Sequence, residues 1–127
     1  MKKTLLVVDD SSDITFALKK LFEEELGEYK VLIADTGEKC LEILKNNSIP
    51  DAIILDIMLP GIDGWETYER IKKNDKWSNI PIVFLTARSD YFTMGAGRFL
   101  GEGYVEKPFE PHELIRRVEK AITKYHS

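Results

Sequence analysis

The sequence predicts an α/β domain, an open and parallel five-stranded sheet with five helices covering both faces. Two observations carry that prediction. Five short apolar runs alternate with stretches whose apolar residues recur every three or four positions, and the connections are short. Such alternation implies parallel strands joined by right-handed helical crossovers. The runs are also apolar throughout and bounded by turn residues, as expected of strands buried on both faces. A chain of 127 residues suits one such domain, so residues 1–127 are read as a single unit.

Composition narrows the class. Apolar residues make up 43% of the chain and charged residues 31%, which points to a globular protein rather than a disordered or membrane one. The apolar run that follows Met1-Lys2-Lys3-Thr4 is too short for a signal peptide or a membrane span. Cys40 is the single cysteine, which excludes an internal disulfide and fits a reducing, cytoplasmic compartment. A net charge of −4 argues against direct nucleic-acid binding, because phosphate contacts need a basic surface.

The elements follow in order. Leu5 to Val8 is the first strand, ending in Asp9-Asp10, with Ser11 and Ser12 as N-cap candidates. Ile14, Ala17, Leu18, Leu21, Phe22 and Leu26 form the stripe of the first helix, which stops at Gly27. Val31 to Ala34 is the second strand, and the second helix carries Cys40, Leu41 and Leu44 on one side. Ala52 to Leu55 is the third strand, running into Asp56 and a Pro60-Gly61, Asp63-Gly64 loop. The third helix spans about Gly64 to Lys73, with Trp65, Tyr68 and Ile71 on or near its inner face. Ile80 to Leu85 is the fourth strand, with Pro81 at its start, where a missing donor is tolerated.

Position in the alternation predicts a fourth helix over Tyr91 to Gly103. Gly95, Gly97 and Gly101 each weaken it by roughly 1 kcal/mol relative to alanine, so it is expected to be short or mobile. Tyr104 to Glu106 is the last strand. Pro111 opens the last helix, whose stripe is Leu114, Ile115, Val118 and Ile122.

Aligning the strand ends brings out a pattern. The first strand ends in Asp9 and Asp10, the third in Asp56, the fourth in Thr86 and the fifth at Lys107. In a flavodoxin-like order, 2-1-3-4-5, these ends are neighbours at the edge where open α/β sheets bind ligands. Two like charges about 4 Å apart repel by ~4 kcal/mol at an effective dielectric of 20, so three bare carboxylates would be strained. Lys107 offsets one charge, and Mg²⁺ suits the remainder because it prefers oxygen and needs few protein carboxylates. Aspartate can serve as a nucleophile that forms an aspartyl phosphate, with metal and lysine balancing phosphoryl charge.

The runs Val7-Val8-Asp9-Asp10, Leu55-Asp56-Ile57-Met58-Leu59-Pro60-Gly61-Ile62-Asp63-Gly64, Leu85-Thr86-Ala87-Arg88 and Tyr104-Val105-Glu106-Lys107-Pro108-Phe109 together resemble the receiver domain of two-component response regulators, of the single-domain, chemotaxis-regulator-like type. The resemblance spans Lys3 to about Lys124 in order and spacing. It implies that Asp56 is the phosphoacceptor, charged by a histidine kinase, a phosphotransfer protein or a small donor such as acetyl phosphate. Asp10 and Asp56 would ligate Mg²⁺ directly, Asp9 through water, and Met58 through its backbone carbonyl. Lys107 would bind the phosphoryl group, and its bond to Pro108 would be cis. Thr86 and Tyr104 would be the switch residues, acting on a downstream protein through a surface of the fourth helix, fifth strand and fifth helix. Met58 and Arg88 stand where the family tunes phosphate lifetime. The protein would be a monomer or a phosphorylation-dependent dimer, without enzymatic activity beyond its own phosphorylation and dephosphorylation.

Simpler readings exist for each residue taken alone. Asp9 and Asp10 fit helix capping, Lys107 fits a solvated surface, Thr86 fits a cap and Tyr104 fits strand packing. Their coincidence at one sheet edge favours the site. A haloacid-dehalogenase-like phosphatase would need a second acid two residues after Asp56, where Met58 stands. A flavin module would place a phosphate against Asp9 and Asp10, which repel it. A receiver-like interaction domain that is never phosphorylated is the remaining alternative.

Overall fold

The computed structural model describes residues 2–47, 49–87 and 103–126. Strands β1 (Lys3–Val8), β2 (Tyr29–Ala34), β3 (Ala52–Leu55), β4 (Ile82–Thr86) and β5 (Tyr104–Glu106) form one sheet in the order β2-β1-β3-β4-β5, every pair parallel. This is the flavodoxin-like order. The register runs Val8 opposite both Ala34 and Leu55, and Thr86 opposite Glu106, so the strands finish close together.

Side-chain alternation sorts the strands' apolar residues onto two faces. Leu6, Val8, Ile53, Leu55, Ile82 and Phe84 pack on one side, with Cys40 and Leu44 from α2 (Gly37–Asn46) and Tyr68 and Ile71 from α3 (Gly64–Lys72). Leu5, Val7, Ala52, Ile54, Val83 and Leu85 pack on the other, with Leu18 from α1 (Ser12–Lys19) and Leu114, Val118 and Ile122 from the C-terminal helix (Pro111–His126). Each of the four residues Leu5 to Val8 is fully buried, which stabilises the fold by roughly 1.5–3 kcal/mol per side chain. The core thus forms two apolar layers with the sheet between them. Cys40 is buried, and its thiol is pushed up to about 12 by that burial.

Caps set where the helices begin. The Ser11 hydroxyl accepts from the Ile14 amide, Thr36 from Lys39, and the Asp63 carboxylate from Glu66 at 2.9 Å. Gly64 stands at a close approach, because a Cβ there would collide with the Asp56 carbonyl oxygen and lie 2.5 Å from Ile57 Cα. With its own amide donating to Ile57 O at 2.8 Å, Gly64 lets α3 start directly against the exit of β3.

Some expectations need correction. The first helix does not stay α-helical to its end: Lys20–Glu25 is a π-helical segment, closed by a Leu26 amide bond to Leu21 O at 2.9 Å. On α1 the buried positions are Thr15 and Leu18, while Ala17 is exposed, because the stripe centres one residue away from the line drawn through Ala17. Strand β4 starts at Ile82, after Pro81, whose carbonyl accepts from Ile53. The expected count of five α-helices is not met among the described residues, which contain four. The fourth helix expected over Tyr91 to Gly103 falls on positions that, apart from Gly103, lie outside the described residues, as does Arg88.

Candidate functional site

The last rungs of the sheet place the acids. Asp9 follows β1 with its amide on Ala34 O at 3.0 Å, and Asp56 follows β3 with its amide on Val8 O at 2.9 Å. Thr86, the final residue of β4, is fully buried, and its carbonyl accepts the Lys107 amide at 2.8 Å. Backbone ladders therefore bring Asp9, Asp56, Thr86 and Lys107 to one edge. Carboxylate oxygens of Asp9, Asp10 and Asp56 all lie within 4.8 Å of one another, with Asp9 and Asp56 buried and Asp10 exposed.

One ammonium serves two of these acids. Lys107 Nζ lies 2.8 Å from Asp9 Oδ2 and donates to Asp56 Oδ2 at 3.3 Å. The remaining oxygens take backbone donors: Asp9 Oδ1 accepts from the Ser11 amide at 2.9 Å, and Asp56 Oδ1 from the Met58 amide at 3.2 Å. Asp9 Oδ2 is buried against the Lys107 ammonium, which it must share with Asp56.

The charges do not balance. Burial, and then the neighbouring Asp9 carboxylate, raise the Asp56 carboxyl above its ordinary value despite Lys107 and the Met58 amide. Burial alone would lower the Lys107 ammonium. Its contact with Asp9 and the charges of Asp9 and Asp56 outweigh that, and its pKa is raised. Three carboxylates within 4.8 Å of one another, two of them sharing the Lys107 ammonium, are the donor set that a small oxygen-preferring divalent cation fits.

The other residues singled out from the sequence surround this core. Met58 is exposed and sits two residues beyond Asp56 on the loop. Tyr104 is half-buried and packs against the apolar layer beneath α2 and α3. The Lys107–Pro108 bond is cis. Sequence reasoning overlooked Gly64, which lets α3 crowd the Asp56 carbonyl, and Glu38, whose carboxylate reaches the same loop. Asp63-Gly64 does advertise a turn, but nothing local in the sequence marks either long-range approach.

The comparisons with known proteins agree with this geometry. Residues 5–119 match the response regulator receiver domain family. A transcriptional regulatory protein of uncharacterised role, YrkP of Bacillus subtilis, is 42% identical over 98% of this chain and 52% of its own length. Response regulator SaeR of Staphylococcus aureus is 35% identical over 96% of this chain and 53% of its own. The chain thus spans about half the length of these curated relatives. A signal receiver domain of a modulated diguanylate cyclase from Desulfovibrio desulfuricans superposes with a TM-score of 0.83 at 33% identity, covering 99% of this chain and 98% of that one. The receiver domain of a sensor histidine kinase from Pseudomonas aeruginosa, solved with magnesium coordinated in its active-site cleft, shares the fold with a TM-score of 0.86 at 24% identity over 97% and 99% of the two chains. Sheet order, acid cluster and sequence match converge, and the chain belongs to the response regulator receiver domain family.

Proposed function

We propose that this chain is a phosphorylation switch whose phosphoacceptor is Asp56. One observation carries the reading: three carboxylates gather within 4.8 Å at a sheet edge, with a single lysine shared between Asp9 and Asp56. A carboxylate oxygen of Asp56 attacks the phosphorus of a phosphohistidine or acyl phosphate. The new O–P bond forms as the donor's P–N or P–O bond breaks, and the imidazole or carboxylate leaves with the electron pair. Lys107 then turns from Asp56 Oδ2 to a phosphoryl oxygen, and the Thr86 hydroxyl donates to another. Tyr104 follows Thr86 inward and so alters the protein-binding surface.

Asp10 and Asp56 would hold Mg²⁺ directly, Asp9 through water, and the Met58 carbonyl would complete the protein's share. An ion held by these residues would supply positive charge against the transferring phosphoryl oxygens. The magnesium in the Pseudomonas receiver domain's cleft supports that assignment by analogy of fold. Met58, standing where a hydrolase of this chemistry carries an acid, supports a domain that catalyses only its own phosphorylation and dephosphorylation.

The donor is a sensor histidine kinase, a phosphotransfer protein or acetyl phosphate, and the receiver of the signal is another protein. Residues 1–127 act as one receiver unit, as a monomer or a phosphorylation-dependent dimer, and make no direct nucleic-acid contact. Cytoplasmic residence fits the single cysteine. Among the described residues no helix is long and apolar enough to cross a membrane. Intact-mass measurement after incubation with Mg²⁺ and acetyl phosphate tests the proposal. A gain of one phosphoryl group in wild type and none in Asp56→Asn is expected; no gain from any small donor or kinase would sink it.

A further inference from the structure

The loop between Asp56 and α3 is held by more than its own ends. Its start is fixed where the Met58 amide donates to Asp56 Oδ1, and its close where the Gly64 amide donates to Ile57 O at 2.8 Å. Leu59 is buried in the apolar layer, but Pro60 and Gly61 are exposed, and proline has no amide to anchor. Among the described residues, the one hydrogen bond from another element onto residues 58–62 comes from Glu38, in the first turn of α2. Its Oε2 accepts the Ile62 amide at 3.3 Å.

The carboxylate also lies close to Gly61. A Cβ at Gly61 would stand 2.8 Å from Glu38 Oε2 and 3.1 Å from Oε1, and Gly61 has φ +75°. Gly37, next to Glu38, closes the same contact. A Cβ there would meet Thr67 Oγ1 and stand 2.7 Å from Ile62 Cγ1, while Thr67 Oγ1 donates to Asp63 O at 2.8 Å. The start of α2 and the start of α3 therefore clasp the loop from both sides.

We infer that Glu38 is a positioning residue for the phosphorylation site: it tethers the Met58–Asp63 loop and so fixes the direction of the Met58 carbonyl toward a bound divalent cation. The inference rests on the metal reading given above. It adds a residue from another helix that touches neither cation nor phosphoryl group. A metal site needs its ligands oriented in advance, and a backbone carbonyl on an exposed loop is oriented only as well as the loop is held.

Calorimetric titration of the full chain with Mg²⁺, alongside amide hydrogen exchange, tests this. Losing one hydrogen bond of this kind predicts a roughly 3- to 10-fold weaker Mg²⁺ affinity in Glu38→Ala. The Ile62 amide should exchange faster in the same variant. Glu38→Gln keeps a carbonyl acceptor on the same stem and should bind Mg²⁺ like wild type. Glu38 is exposed, so both variants should fold. A Glu38→Ala protein with reduced thermal stability but wild-type Mg²⁺ affinity would overturn the tether alone, reducing Glu38 to a structural contact. Wild-type protein that binds no Mg²⁺ would overturn the tether and the metal reading together.

Discussion

Asp51 and Asp56 bracket β3, five positions apart, and they show what separates a structural acid from a chemical one. Asp51 sits at the strand's entry, where its Oδ2 accepts the Thr4 amide at 2.7 Å and its own amide donates to Thr4 O at 2.8 Å. There it acts as a clip between two strands. Asp56 sits at the exit, buried, facing a second buried acid and sharing one lysine with it. Burial and the Asp9 charge push its carboxyl up, and the backbone answers it, among the described residues, through the Met58 amide alone. The difference lies in unbalanced charge. Both acids accept a backbone amide, but Asp56 also lies buried beside a second carboxylate, and that excess of negative charge prepares it for a cation and a phosphoryl group.

The largest stability effect should come from removing the shared countercharge. Lys107→Ala leaves Asp9 Oδ2 and Asp56 Oδ2 facing each other without the ammonium. Breaking a buried pair costs about 3–5 kcal/mol. Since the Lys107 side chain is 17% exposed, solvent lowers the expected loss to about 2–3 kcal/mol. Chemical denaturation measures it. Millimolar Mg²⁺ should recover part of the loss, because an ion that binds the folded state stabilises it by mass action. Recovery by added monovalent salt to the same extent would mean screening rather than a metal site.

At the other end of β3 the effect should be smaller and indifferent to Mg²⁺. Asp51→Ala strands the Thr4 amide and should cost about 1 kcal/mol, the usual net value of such a bond. The gain in stability on adding Mg²⁺ should equal that of wild type. An altered Mg²⁺ response in this variant would break the comparison, since it would tie the strand's entry to the site at its exit.

Much of this was legible in the sequence because it is repeated locally. The apolar runs at Leu5–Val8 and Ala52–Leu55 announce buried parallel strands, and the residue after each run falls at the sheet edge by geometry alone. Asp9, Asp56, Thr86 and Lys107 could therefore be grouped before any coordinates. What was not legible depends on approaches between distant residues. The sharing of Lys107 between two acids, the crowding of Gly64 on the Asp56 carbonyl and the reach of Glu38 to Ile62 leave no local period. The π-helical segment at Lys20–Glu25 was hidden for a related reason. An amphipathic stripe from Ile14 to Leu26 reads the same whether one turn closes on the fourth or the fifth residue. That turn brings a further contact: Glu23 Oε2 accepts the Val31 amide at 2.7 Å on β2, the strand at the sheet's edge.

The smallest predicted effect tests the charge imbalance directly. A carboxyl whose folded pKa is raised keeps its proton more readily in the folded than in the unfolded chain. Asp56 therefore contributes stability that is fully present below the ordinary value of 3.8 and is lost as pH rises through its folded-state pKa. Asn cannot ionise, so Asp56→Asn escapes that loss while the remaining titrating groups stay in common. Urea denaturation of both proteins at pH 4 and pH 7 should show the stability of Asp56→Asn relative to wild type increasing with pH. Adding Mg²⁺ at pH 7 should narrow the gap, since the ion supplies to wild type the positive charge that its fold leaves out. If wild type instead gains stability over Asp56→Asn as pH rises, then Lys107 and the Met58 amide outweigh burial and Asp9. The acid at the exit of β3 would then carry no charge imbalance for a cation to relieve.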